Sequence, residues 1–284
     1  MAAWTAVCLI WGTTYLGIRI ALETLPPLLM ASFRWLAAGS ILLAVLRLRG
    51  ERLPSAAALG PLAVLGVLLL GFGNGGIVWA EQTVPSGLTA VLAASSPFWM
   101  VGFDACAGGG DRISSRRAAG LVLGFGGIVL LVWPELHAGV SGRAFLVGVL
   151  AAQLACVGWA IGSTYARRRA MEENVLGAAA CEMLFGGVFL FTLGLLHHEW
   201  PLVRFSPRSA GALAYLVVFG AVVAFSAYTY ALKHLPVAFV SLYAYINPVI
   251  AVVLGTAVFG EPFTPRTAAA GAVVLAGVWL VGEG

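Results

Sequence analysis

The stretch Leu242-Tyr-Ala-Tyr-Ile-Asn-Pro-Val-Ile-Ala251 sets two phenols, a carboxamide and a helix breaker inside an apolar run. On a helix, Tyr243 and Asn247 share one face, while Ser241, Tyr245 and Pro248 share another. Such groups are poor nucleophiles, but they can hold an amphipathic solute, ring against ring and hydroxyl against polar atom. Pro248 also lacks an N–H and crowds the carbonyl four residues back, so Ala244 loses its helical partner. The pattern recurs 151 residues earlier at Ser95-Ser96-Pro97, where the carbonyl of Ala93 is the one affected. In hydrocarbon such a break is tolerated only where it faces protein or a watery cavity. A carbonyl left free there could accept a bond from a substrate ammonium. The competing reading is that both prolines only kink their helices for packing, with the substrate elsewhere.

Ionisable residues inside apolar segments are costly and therefore candidates for function. Arg34 and Glu182 are the clearest. Arg34 is read as structural or as a binder of a substrate carboxylate, and Glu182 as the deep carboxylate able to carry a proton. Arg19, Glu81, Asp104 and Glu261 lie near segment ends, where they are expected to snorkel or sit at the interface. Among the aromatics, Trp99, Trp159, Tyr228, Tyr243 and Tyr245 are cavity candidates. Trp79 and Tyr230, near segment ends, fit a cavity or the interfacial belt equally. Thr14, Tyr15, Asn74, Ser95, Ser96, Ser163 and Asn247 complete the substrate-binding candidates.

Other chemistry finds little support. Gly71-Phe-Gly-Asn-Gly-Gly76 lacks the Lys-Ser/Thr of a phosphate loop, and it reads as packing or a hinge. His197-His198-Glu199 lacks His-Glu-x-x-His spacing, and no Gly-x-Ser-x-Gly elbow occurs. No enzyme, cofactor or metal site is expected. The cysteines Cys8, Cys106, Cys156 and Cys181 fall in or at the end of apolar segments and form no CxxC, so they read as small packing residues.

These residues need long apolar helices to position them. Of 284 residues, 61% are hydrophobic and 10% charged, with a mean hydropathy of +0.96. Soluble domains run at about 45–50% apolar and about 25% charged, so the chain is an integral membrane protein. A span takes about 20 apolar residues. Segments of that kind occur at 4–22, 27–46, 61–80, 84–106, 117–133, 144–166, 175–196, 209–232, 236–259 and 266–282. The first has no basic region ahead of it and reads as a retained span. The short connections leave no room for a soluble domain, so 1–284 is read as one all-α membrane domain of ten helices.

The net charge of +4 is a matter of topology. Arg47, Arg49, Arg52, Arg112, Arg116, Arg117, Arg167, Arg168, Arg169 and Lys233 fall on one side; Arg143, Arg204, Arg208 and Arg266 fall on the other. The positive-inside rule then puts both termini in the cytoplasm. Membrane lipid and a small-molecule substrate are the expected partners, and nucleic acid is not. Arginine standing in place of lysine throughout, Lys233 excepted, points to a GC-rich bacterial genome and so to an inner membrane.

The chain repeats itself. Pro85 and Pro236, like Pro97 and Pro248, lie 151 residues apart, as do Gly120 and Gly271, and Gly126 and Gly277. Gly12-Thr-Thr-Tyr15 is echoed by Gly162-Ser-Thr-Tyr165. Residues 1–133 and 144–284 thus form two five-segment repeats. Five is odd, so the second repeat enters the membrane from the opposite side, as in many secondary transporters whose substrate site lies at the repeat interface. Pro85, Pro97, Pro236 and Pro248 are the hinge candidates.

Several stretches together resemble the EamA-type members of the drug/metabolite transporter superfamily. They are Trp11-Gly-Thr-Thr-Tyr15, Phe33-Arg-Trp35, Ala227-Tyr-Thr-Tyr-Ala-Leu-Lys-His-Leu-Pro236, Asn247-Pro-Val-Ile-Ala251 and Phe259-Gly-Glu261. The resemblance spans the whole chain. It implies ten helices in two inverted repeats, cytoplasmic termini and export of small metabolites, with aromatic amino-acid exporters nearest in pattern. Many such proteins carry an acidic residue before the proline of the ninth segment; here it is Asn247. The expected activity is secondary export of large neutral or aromatic amino acids by alternating access. The alternatives are export or import of another metabolite or drug and, more remotely, a membrane receptor, scaffold or intramembrane enzyme.

Overall fold

The computed structural model describes residues 2–106, 114–133, 139–169, 174–234 and 243–282, and among them every regular element is helical. In chain order, α1 is Ala2–Ala21, α2 Pro27–Leu48 and α3 Ala56–Ala80. The fourth apolar segment gives two helices, α4 (Ser86–Ala93) and α5 (Ser96–Cys106). Then follow α6 (Ser115–Val132), α7 (Gly139–Arg169) and α8 (Val175–Leu196). α9 joins Pro207–Tyr215, Leu216–Val223 and Ala224–His234, while α10 is Tyr243–Phe259 and α11 Pro265–Gly282.

Among the described residues, six stretches are long and apolar enough to cross a membrane: Pro27–Leu48, Ala56–Ala80, Ser86–Phe103, Gly142–Ala166, Val175–Leu196 and Pro207–Tyr228. Ile246–Phe259 and Pro265–Val281 are shorter apolar helices. One local feature has no marker in the residue pattern. The middle of α3 (Gly66–Asn74) and of α9 (Leu216–Val223) is wound as π-helix. Such widened turns gather at functional sites.

Packing repeats with the two halves exchanged. α2 lies along α8, α6 along α11, and α4 against α10. The contact of α1 with α10 has its counterpart in α7 against α4 and α5; that of α1 with α9 is matched by α7 with α3. Glycines mark close helix approaches. A Cβ on Gly120 would sit 2.8 Å from the carbonyl oxygen of Gly277, and one on Gly71 would sit 2.6 Å from the Phe189 ring.

Helix starts are closed by distant carboxylates. Glu199 accepts from the main-chain N–H of Leu29 at 2.9 Å and of Leu28 at 3.4 Å, capping α2. Glu261 accepts from the N–H of Ser86 at 2.9 Å and of Gly87 at 3.2 Å, and from the Ser86 hydroxyl at 3.0 Å, capping α4. Asn174 caps α8 and its amide nitrogen donates to Glu51 at 3.3 Å. Each of these glutamates follows a residue in the left-handed region: Gly50 at φ 68°, His198 at 56° and Gly260 at 62°. Gly50 and Gly260 adopt that conformation without strain.

Candidate functional site

The structure sorts the candidate residues into three groups. The first is aromatic and joins α1, α9 and α10. Trp11 lies 5.1 Å from Tyr228 and 5.0 Å from Tyr243, ring centre to ring centre, and Tyr228 and Tyr243 are 5.9 Å apart, edge to face. One turn beyond Tyr243, the buried Asn247 amide nitrogen donates to the carbonyls of Tyr243 at 3.2 Å and Cys8 at 3.0 Å, in the amide orientation that satisfies both. Trp11 sat in the signature of the first segment, but its place between two tyrosines needs the fold.

The second group surrounds the helix break between α4 and α5. The Ser96 hydroxyl donates to the carbonyl of Ala93 at 2.7 Å, and Ser95 donates to Leu92 at 2.6 Å. The expectation that the Ala93 carbonyl stands free for a substrate ammonium is therefore corrected. The serines beside Pro97 supply the donors that the proline removes. Gln153 of α7 accepts from Trp99 at 3.0 Å and from Ser95 at 3.3 Å. Gln153 escaped the sequence reading because nothing marks a lone glutamine fifty residues from its partners.

The third group is charged. Arg34, 3% exposed, stacks over the Trp35 ring at 4.5 Å, and its Nη2 donates to the carbonyl of Gly220 at 3.5 Å. Its Nε and Nη1 have no hydrogen-bond partner among the described residues. The same Gly220 carbonyl accepts from the Trp11 indole at 3.2 Å. Gly220 lies in the π segment of α9, so one main-chain oxygen joins the cationic group to the aromatic group. Trp35 donates to Asn74 at 3.1 Å. The buried Thr14 donates to the carbonyl of Trp11 at 2.7 Å and, like Arg34, lies where a Cβ on Gly220 would point. Tyr15, the next residue on α1, lies on the side toward Glu81.

Several residues lie elsewhere than expected. Glu81, expected to snorkel or sit at the interface, is fully buried, with α2 and α7 packed on the end of α3 and Arg19 of α1 bonded to its main-chain carbonyl. Glu261, expected to snorkel or sit at the interface, caps the start of α4. Glu182 is half-buried where α8 crosses Gly66 of α3. Trp159 packs on Gly73, and Ser163 lies further along α7; neither meets the aromatic trio. Trp79 faces His197 at 5.7 Å and lines an apolar crevice of about 190 Å³ with Gly71, Phe72 and Phe189. Pro85 lines a second crevice of about 420 Å³ with Thr256, Glu261 and Arg266. Neither crevice reaches the aromatic trio. Tyr230 is exposed and stacks on His234, as a belt residue would. Pro236 and the side chains of Tyr245 and Asp104 lie outside the described residues.

Glu199 lies in the connection between α8 and α9. Burial pushes its carboxyl above the ordinary carboxylate range, opposed by the bonds from Leu29 and Leu28 and by His197. Among the described residues no group of histidines, cysteines and carboxylates is arranged to hold a metal ion.

The chain matches known proteins over nearly its whole length. The sequence pattern of the EamA-like transporter family fits it twice, over residues 2–133 and 146–282. It is 39% identical over 259 residues to the inner membrane transporter YedA of Escherichia coli K12, covering 90% of this chain and 81% of YedA. A transporter of Archaeoglobus fulgidus is 28% identical, covering 96% of this chain and 93% of that protein. A crystal structure at 23% identity superposes with a TM-score of 0.66 over 98% of this chain and 94% of the other, which shows a shared fold. A chain whose two halves each carry the family's pattern, with apolar helices in both, is a membrane transporter: this protein belongs to the EamA-like transporter family.

Proposed function

We propose that the protein is a secondary carrier exporting small amphipathic metabolites, large neutral and aromatic amino acids foremost, across a bacterial inner membrane by alternating access. The observation that carries this reading is the carbonyl of Gly220, which receives both the Trp11 indole and the Arg34 guanidinium. It puts an aromatic enclosure (Trp11, Tyr228, Tyr243) beside a cation with two unused donor nitrogens. A ring-bearing carboxylate needs both. Asn247, Thr14, Tyr15 and Asn74 add polar groups around the same junction.

The architecture assigned is ten helices in two inverted repeats, 1–133 and 144–284, with both termini cytoplasmic. The twofold match to the family pattern, the exchanged packing and the paired π segments support it. YedA, by its name an inner membrane transporter, supports the location. In the cycle the halves rock about the junction, with Pro85, Pro97, Pro236 and Pro248 as hinges and the break between α4 and α5 as the most pliable point.

The test is uptake of labelled solutes into proteoliposomes by the wild type and by the Tyr243→Ala, Asn247→Ala double variant. Uptake of tryptophan or phenylalanine that the double variant loses is the expected result. Uptake that survives in the variant moves the site away from α10. No uptake of any amino acid overturns the assigned cargo and turns the search to sugars, nucleobases and drugs.

A further inference from the structure

We infer that Glu81 is a proton-binding residue whose protonation state selects between conformations of the carrier. The side chain is fully buried, and neither carboxylate oxygen has a hydrogen-bond partner among the described residues. A carboxylate so placed pays for ionisation with no donor to offset the loss of water, so the neutral acid is the stable form.

Its ionisable surroundings are few. α1 contributes Arg19 and Tyr15, α2 Arg34, and the connection after α10 Glu261. His197 lies across the Trp79 ring. α4 bears no ionisable side chain, and α7 has no charged one between Arg143 and Arg167. None of these groups bonds the Glu81 carboxylate. Arg19 donates instead to the main-chain carbonyl of Glu81, and Glu261 is held at the start of α4. Burial pushes the Glu81 carboxyl well above the ordinary range and Glu261 adds to this, while Arg19 and Arg34 oppose it.

The two arginines give the residue its second state. Arg34 has two donor nitrogens without partners, enough for a forked ion pair with a carboxylate. A shift of α2 or α3 that closes the gap lets Glu81 release its proton to water while its new charge is met by Arg34. The conformation described here thus holds the proton, and a paired conformation gives it up. A proton bound more tightly in one conformation biases the equilibrium toward it. The sign follows: this conformation gains as pH falls and loses ground, by at most about tenfold per pH unit, as pH rises through the raised pKa. The inference rests on the two-state carrier reading, but its test needs no cargo.

The test uses the full chain in phosphatidylcholine vesicles, followed between about pH 5 and about pH 9. Infrared difference spectra report protonated carboxyl groups, and acrylamide quenching of tryptophan fluorescence reports conformation. The wild type is expected to lose a protonated-carboxyl band as pH rises, with quenching changing at the same midpoint. Glu81→Gln removes the transition and the band component that titrates with it, Glu182→Gln keeps both, and Arg34→Gln moves the midpoint to higher pH. A band and transition that persist in Glu81→Gln overturn the inference, as does wild-type quenching that ignores pH. If Glu81→Gln does not fold, Glu81→Asp decides: band and quenching midpoints that shift together support the assignment, and midpoints that stay put overturn it.

Discussion

The helix is broken just before Pro97 and runs on through Pro248. Both prolines occupy matching places in the chain, yet α4 ends at Ala93, two residues turn, and α5 begins at Ser96, while α10 is unbroken from Tyr243 to Phe259. The flanking residues make the difference. Ser95 and Ser96 bond the carbonyls of Leu92 and Ala93, which stabilises the stop. Asn247 bonds the carbonyl of Tyr243, one turn back in its own helix, and of Cys8 in α1, which ties a continuous helix to its neighbour. The α4–α5 break keeps its polar groups occupied by one another. The α10 side offers rings, an amide and, through Gly220, a cation. On the proposed reading the α4–α5 break is the joint, and α10 with Trp11 and Arg34 of the first half is the recognition side.

The largest expected effect lies on the recognition side. Arg34→Met should abolish transport while leaving the melting temperature unchanged or higher, because it removes a buried, under-bonded charge. Uptake and thermal unfolding of one preparation check this, and retained uptake would break the assignment. Next, Tyr243→Ala with Asn247→Ala should lower the uptake rate by more than tenfold. Ser95→Ala with Ser96→Ala should leave the rate within a few-fold and cost about 1–2 kcal/mol of stability, the worth of buried hydrogen bonds. If the two pairs behave alike, the division of labour between the two proline regions fails.

Smaller effects sharpen the joint. Pro97→Ala should slow uptake more than Pro248→Ala, since only the former lets a helix grow across a break; single and double variants in one assay settle the order. The smallest effect concerns the α2 cap. Glu199→Ala should lower stability by about 1 kcal/mol and Glu199→Gln by less, because the amide keeps an acceptor. Burial raises the Glu199 carboxyl above its unfolded value, so this residue's contribution is full at low pH and declines as pH rises through the raised pKa. Glu199→Gln should flatten that slope in melting temperature against pH.

Hydropathy and counting made the helical membrane class, the duplication and the two prolines readable in the sequence, because each is a pattern along the chain. Tyr228, Tyr243, Asn247 and Arg34 were likewise visible as polar or aromatic residues in apolar runs. What stayed hidden depends on contacts across the chain. Glu81 ends an apolar run and so reads as an interface residue; only the bundle around it shows that no water reaches it. The serine donors cancel the carbonyl that the proline frees, a local competition that proline rules alone omit. The π segments have no marker, since Leu216–Val223 is composed like any apolar helix.

The glutamate caps have a consequence for how the chain is made. Glu199 and Glu261, from the second half, close α2 and α4 in the first, while Glu51 reaches the α8 cap in the opposite direction. The first half by itself leaves the starts of α2 and α4 without these acceptors for their N–H groups. During synthesis the early helices therefore wait, inserted but unfinished, until the last connections emerge. The final stretch of translation locks the first half as well as completing the second.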